Sequence, residues 1–265
     1  MVVLIVTVAG CGKPKPPEAL VFRDASGRQL TERDLDGVTG TVQFELIGSD
    51  NVSAEATQLH EAAREAGKRG AYDEALSLLD RAQLAAPQWP YPVYDAAWTF
   101  LLKGDFEKAE DYYRKTDALA PRGFFMSKTA LDSLRREREG TVKRGTYLVI
   151  TMLEWVTENE KRRDTLRRIV KESPDLPVAW QRLASELDDA SEKAQALDEG
   201  LRRTPDASTR AMLLINKALL LANQGRRNDA VAILGPLALD AQGTLEGVEL
   251  AKMALKHLPK ATPGR

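Results

Sequence analysis

From Ala54 onward, apolar residues recur at helical spacing and few β-branched runs interrupt them, which predicts an all-helical domain. The stretch before it reads differently. ALVFRD, beginning at Ala19, and TVQFELIG, ending at Gly48, are strand-like, with turn residues at Ser26-Gly27 and between Gly37 and Gly40. They predict a small β-hairpin over 19–50. Earlier still, MVVLIVTV is a short apolar run followed by the Pro-rich GKPKPPEA.

One interval organises the helical part. Gly70 and Gly104 are 34 residues apart, and so are Tyr72 and Phe106, Ala75 and Ala109, Leu79 and Tyr113, and Pro87 and Pro121. The two glycines sit where a helix ends and the chain reverses, a place for positive φ. Ala75 and Ala109 are small enough to let two helices approach to about 8–10 Å. Tyr72, Phe106, Leu79 and Tyr113 fill the space between helices, and Pro87 and Pro121 stop the second helix of each pair.

RGAYDEALSLLDRAQLAAP and KGDFEKAEDYYRKTDALAP thereby resemble the tetratricopeptide repeat, a helix–turn–helix unit of about 34 residues. The resemblance implies an all-α, right-handed superhelix of α-α hairpins over 54–258. Weaker echoes occur at Ala211–Leu239, around Gly225 and Ala230, and in LPVAWQRLASELDDASEKAQALDEGLRRTP, whose turn reads as about two residues short. Between Arg122 and Pro174 the pattern degenerates into three helices, near Phe125–Arg138, Thr141–Val156 and Asn159–Lys171, the last with capping-box spacing at Thr157 and Glu160. A final helix near Leu245–His257 caps the stack.

Helical geometry separates two faces of each first helix. Val93, Ala96, Ala97 and Phe100, like Leu59, Ala62, Ala63 and Ala66, form the packing stripe. Tyr91, Tyr94, Trp98 and Leu101, with His60, Arg64 and Lys68, fall on the stripe that lines the concave groove in the family this chain resembles. An aromatic wall beside a basic edge suits protein or peptide partners: Arg64 and Lys68 meet carboxylates, and Tyr94 and Trp98 clamp apolar or proline-rich segments. The other reading is that these aromatics are covered, by the 19–48 segment or by the next helix.

The apolar leader is too short to span a bilayer, which takes about 20 residues. Val8-Ala9-Gly10-Cys11 resembles the bacterial lipobox, in which the cysteine is acylated and becomes the new N-terminus. That resemblance implies a signal peptide over 1–10, a lipidated Cys11 with a Pro-rich tether over 11–18, and a periplasmic location. Gly12 after the cysteine implies the outer membrane's inner face in a two-membrane cell. No basic segment precedes the apolar run, so an upstream start codon is expected. A buried first strand with an ordinary cysteine is the competing reading. The Ala19–Gly48 stretch superficially resembles the opening of a thioredoxin-like lipoprotein domain, but no Cys-x-x-Cys follows it, which disfavours a redox function.

Composition narrows the chemistry. A formal net charge of −1 removes the long-range attraction to nucleic acid. One cysteine and two histidines, His60 and His257, disfavour an internal disulfide and a metal site. No phosphate loop, G-x-S-x-G or H-E-x-x-H occurs, so no cofactor, catalytic residue or small-molecule substrate is expected. Asp188-Asp189 and Glu107/Glu110-Asp111 are paired acids without a hydrolase partner. The cationic runs RREREG and KRRDTLRRIVK read as solvated helix surfaces with i,i+4 pairs, or as a lipid-headgroup patch. The sequence thus predicts a non-enzymatic, lipid-anchored scaffold for cell-envelope assembly. A cytoplasmic tetratricopeptide adaptor and a carbohydrate-processing accessory module remain as alternatives.

Overall fold

The computed structural model describes residues 22–23, 29–30, 44 and 47–258. Cys11, its leader and its tether lie outside these residues. The described chain is all-helical apart from a two-stranded ribbon, and it divides into two compact units, one of them Gln43–Arg210. This unit holds α1 (Ala54–Lys68), α2 (Tyr72–Ala85), α3 (Pro90–Leu102), α4 (Phe106–Leu119), α5 (Ser127–Arg138), α6 (Thr146–Met152), α7 (Asn159–Glu172), α8 (Pro177–Glu186) and α9 (Ala190–Arg202).

The turns form as their residues require. After α1, Gly70 N–H donates to Gly67 O and Ala71 N–H to Ala66 O; after α3, Gly104 donates to Leu101 O and Asp105 to Phe100 O. Each pair closes a helix end whose reversal puts glycine at positive φ, 75° at Gly70 and 76° at Gly104. Ala75 and Ala109 are buried where the paired helices meet, with Leu79 and Tyr113 beside them. Asp105 caps α4 by accepting from Lys108 N–H, and Ser53 caps α1 by accepting from Ala56 N–H.

The degenerate stretch holds the three predicted helices with shifted ends. The middle one is shorter than expected: α6 stops at Met152 and a 3-10 turn, Leu153–Trp155, follows it. The predicted capping box at α7 does not form, because Thr157 Oγ1 points to the Glu158 carboxylate instead, at 3.4 Å. The α8–α9 turn keeps the same three linking residues as the strong repeats. The shortening lies in α8, which has 10 residues against 15 in α1 and 13 in α3.

The cationic runs do more than coat the surface. Arg135 does pair with Glu139 along its own helix at 2.8 Å, but Arg136 is buried. Arg136 pairs with Asp132 and donates to the carbonyls of Asp175, Arg203 and Thr204 at 2.9, 3.2 and 2.9 Å. Thr204 has φ 49°, a rare conformation for a β-branched residue, and the guanidinium holds it there. On α7, Arg162, Arg163 and Arg167 reach across to Glu186, Asp188 and Glu192, and Arg162 also donates to Asn159 Oδ1 on its own helix at 2.7 Å.

The other unit comprises Met1–Val42 and Ala211–Arg265. It contains most of α10 (Ala207–Asn223), α11 (Arg227–Ala238) and α12 (Leu245–His257), the last with the predicted bounds. Ala218, Ala230, Leu234, Ala251 and Leu255 make its core. A Cβ on Gly247 would lie 2.7 Å from that of Ala211, so α12 meets α10 through a bare backbone. The ribbon pairs Phe22 with Leu30 and Arg23 with Gln29. Its second strand is therefore not the predicted TVQFELIG, whose described residues turn at Ile47–Gly48 into a 3-10 helix, Ser49–Asn51. A nearer partner closes a shorter loop and orders less chain.

Candidate functional site

Within the Gln43–Arg210 unit, α1, α3, α6 with its 3-10 extension, and α8 together line two recesses that meet at Trp98. The first has a volume of about 460 Å³ and includes Arg64, Lys68, Asp95, Trp98 and Trp155. The second, about 200 Å³, includes Tyr94, Asp95, Trp98, Glu154 and Arg182. Trp155 is 61% exposed, and its ring meets that of Trp98 edge-on at 6.3 Å and 82°. Val149 and Met152, three residues apart and both exposed, continue an apolar surface along α6 toward Trp155.

The charges divide along the groove. Arg64 lies over the Tyr91 ring at 5.9 Å and has no carboxylate partner among the described residues. Lys68 is exposed and bonds Glu65 at 2.6 Å, which together with the Lys68 charge holds the Glu65 carboxyl below its ordinary range. At the other recess Arg182 pairs with Glu154 at 2.8 Å.

The predicted site residues do not all face this opening. His60 is 5% exposed, with its Nε2 2.8 Å from Asp95 Oδ2 and its ring edge-on to Trp89 and Tyr91. Tyr91 contacts Phe124 and Phe125 at 5.6 Å each, and Tyr94 contacts Tyr113, Phe124 and Phe125 at 5.7, 5.6 and 5.2 Å. Burial raises the Tyr94 phenol above its ordinary range, opposed by a hydrogen bond with the Met126 backbone. Phe44 then packs on Phe124 and Phe125 at 5.7 and 4.8 Å. The chain entering α5 thus covers part of Tyr91 and Tyr94, with the segment before α1 packed behind it, while Tyr94 keeps one side on the second recess. Trp98, Arg64 and Lys68 stay accessible. Leu101, placed on the groove stripe by periodicity, is fully buried, whereas Ala62, placed in the packing stripe, is exposed.

Trp155, Asp95, Glu154 and Arg182 were not singled out from the sequence. Asp95 had a signal, since it lies four residues from Tyr91 and three from Trp98. Trp155 had little, because the switch from α to 3-10 winding re-aims its ring.

Two acids have carboxyls raised by burial, Glu137 and Asp206, and both satisfy helix starts. Glu137 accepts from Gly145 N–H and Tyr147 N–H at 2.7 and 2.6 Å, and Asp206 accepts from Ser208 and Thr209 N–H at 2.9 and 3.1 Å. Neither lines the two recesses. No group of three His, Cys, Asp or Glu side chains is placed to hold a metal among the described residues. The arrangement offers aromatic edges, one available guanidinium and two half-open recesses, which is binding chemistry.

No family model and no curated protein sequence matches the chain. It is similar to solved repeat structures. The flexible tandem repeat domain of a bacterial cellulose synthase component aligns at 21% identity over 73% of this chain and 96% of that one, with a TM-score of 0.47. YrrB, described as a TPR protein with an unusual peptide-binding site, aligns at 15% identity over 78% and 97%, TM-score 0.34. TTC0263, a thermophilic TPR protein of Thermus thermophilus, gives 19% identity over 76% and 99%, TM-score 0.33. The 34-residue spacing and the two glycine turns of this chain carry the assignment on their own. The fold is of the tetratricopeptide type.

Proposed function

We propose that the chain is a lipid-anchored scaffold that holds an extended segment of a partner protein across Trp98, in cell-envelope assembly. The observation that carries the reading is the open Trp98–Trp155 pair at the meeting of two recesses, with an available Arg64 on one side. Exposed aromatic pairs in a concavity are the commonest anchors of a binding interface, and arginine beside them selects acidic groups. The polar end at Arg64 and Lys68 takes an acidic residue of the partner, while an apolar or proline side chain packs against the exposed Trp155 indole beside Trp98.

A photo-crosslinking residue at position 155, used in living cells, tests the groove. Adducts to a discrete partner are expected, and Trp98→Ala or Arg64→Glu should remove them without loss of helicity. A single hot-spot tryptophan is worth about 2 kcal/mol or more, or roughly 30-fold in affinity. Adducts that survive both changes would place the partner elsewhere. The anchor rests on Val8-Ala9-Gly10-Cys11. Globomycin treatment should accumulate an uncleaved precursor, and Cys11→Ala should release the protein from the membrane fraction. An unchanged mass and a soluble wild type would instead favour the cytoplasmic adaptor.

A further inference from the structure

A third cavity, of about 370 Å³, opens between α2 and α4 on the side of α3 opposite Trp98. Its walls are chiefly apolar: Leu76 from α2, Val93, Ala96 and Phe100 from α3, and Tyr112 and Leu119 from α4. The Gln83 amide N–H donates to Pro87 O at 2.8 Å, while its Oε1, buried in the wall, has no hydrogen-bond partner among the described residues. Walls of this kind give water few partners, and the volume lies within the range of about 300–1,000 Å³ typical of small-ligand sites. At about 30 Å³ per small group, the volume of a liquid water, it holds roughly a dozen heavy atoms.

The mouth is not apolar. Lys115 holds its ammonium 4.2 Å over the Tyr112 ring and has no carboxylate partner among the described residues. Phe100, Tyr112 and Lys115 also border a shallower recess of about 620 Å³ that adds Lys108, whose ammonium lies 5.3 Å from the Phe100 ring. Lys108 pairs with Asp105 at 3.3 Å, and Asp111 is closed by Arg114 at 2.7 Å. On the α2 wall stands Asp80, of opposite sign. The cavity is thus greasy inside, positive at the α4 lip and negative at the α2 lip.

We infer that this cavity binds an amphiphile with one medium-length apolar chain inside and an anionic head at Lys115. The chain buries the apolar walls, and the head completes a cation that now has only a ring for company. Asp80 orients the ligand by repelling the head toward α4. A free fatty acid and a single-chain membrane lipid share this chemistry. Of the residues lining it, only Leu79 also borders the recesses at Trp98.

Calorimetric titration of the folded protein with dodecanoate, below its micelle concentration, tests the inference. A 1:1 complex is expected with a Kd on the order of 1 mM, since about 0.3 kcal/mol for each of roughly 14 non-hydrogen atoms gives about 4 kcal/mol. Dodecyltrimethylammonium should bind at least tenfold more weakly, since its head meets Lys115 with like charge. Lys115→Ala should weaken dodecanoate about fivefold, and Asp80→Asn should tighten it two- to threefold. Ala118→Phe, at an exposed helical position lining the cavity, should block the complex while helicity by circular dichroism is kept. Trp98→Ala should leave it unchanged. Binding of lysophosphatidylglycerol but not dodecanoate, with the same response to Ala118→Phe and Lys115→Ala, identifies a membrane lipid as the source and supports the site. No binding of either, equal affinity for both head charges, or indifference to Ala118→Phe would overturn it.

Discussion

His60 on α1 and Asp95 on α3 meet at 2.8 Å beneath the groove, and their contact ties the first helical hairpin to the second. The imidazole is enclosed edge-on by Trp89 and Tyr91, while Asp95 reaches the wall of both recesses. The pair therefore sets where α3, and Trp98 with it, stands relative to Arg64. Replacing His60 by Leu leaves the Asp95 carboxylate without its partner in a half-buried place, at a cost of about 1–3 kcal/mol. Asp95→Asn keeps an acceptor for the ring and should cost about 1 kcal/mol or less. Urea unfolding followed by circular dichroism measures both, and equal losses would show that the carboxylate charge matters more than the hydrogen bond.

The repeat architecture was legible in the sequence because Gly70, Ala75 and Pro87 answer local demands: a reversal, a close helix approach and a stop. Such demands recur unchanged one period later. The helix faces were legible in part, since 3.6-residue periodicity set the exposed Arg64 and half-buried Trp98 apart from the buried Val93 and Ala96. It could not reveal that Phe124 and Phe125 would come to lie on Tyr91 and Tyr94, with Phe44 packed behind them, because contacts from segments tens of residues away leave no periodic trace. Arg136 was hidden for the same reason. Its carbonyl partners lie 39, 67 and 68 residues further on, while its neighbours in RREREG are those of any solvated helix.

Glycines at positive φ make a graded prediction. At Gly104 a Cβ would meet nothing within 4 Å, so Gly104→Ala carries only the left-handed backbone penalty, about 1–2 kcal/mol. At Gly48, with φ 68°, the same atom would fall 2.1 Å from the Gln88 carbonyl oxygen. Gly48→Ala must displace backbone as well, so it should cost more than Gly104→Ala in thermal unfolding. It should also loosen the segment carrying Phe44, seen as faster amide exchange in α1's first turn. Equal melting temperatures for the two variants would contradict this.

Glu137 gives a pH signature. Burial raises its carboxyl above 4.5, with the Tyr147 and Gly145 N–H bonds working against the shift. A carboxyl raised in the folded state binds its proton more tightly there than in the unfolded chain. Its contribution to stability is therefore full below about pH 4.5 and is lost as pH rises through the folded value. The stability of wild type relative to Glu137→Gln should accordingly rise as pH falls from neutrality toward 4.5. Exposed acids such as Glu107, lowered by its hydrogen bond to Arg144, are common to both proteins and cancel in that difference. A difference that is flat with pH, or that falls on acidification, would remove Glu137 as a buried titrating group.

Arg136 is the side chain whose loss should be most damaging outside the apolar core. Its guanidinium serves Asp132 and three carbonyls at once, joining α5 to the turns that precede α8 and α10. Arg136→Met fills similar volume but strands the three carbonyls and leaves Asp132 with Arg135 alone, and about 3–5 kcal/mol should be lost. Arg136→Lys keeps the charge, yet a single ammonium cannot reproduce the fork, so it should recover less than half of that loss. With its carbonyl released, Thr204 can leave its φ of 49°, and the α9–α10 turn should become susceptible to limited proteolysis. If Arg136→Lys is as stable as wild type and equally resistant there, the charge alone holds the turn and the forked geometry is incidental.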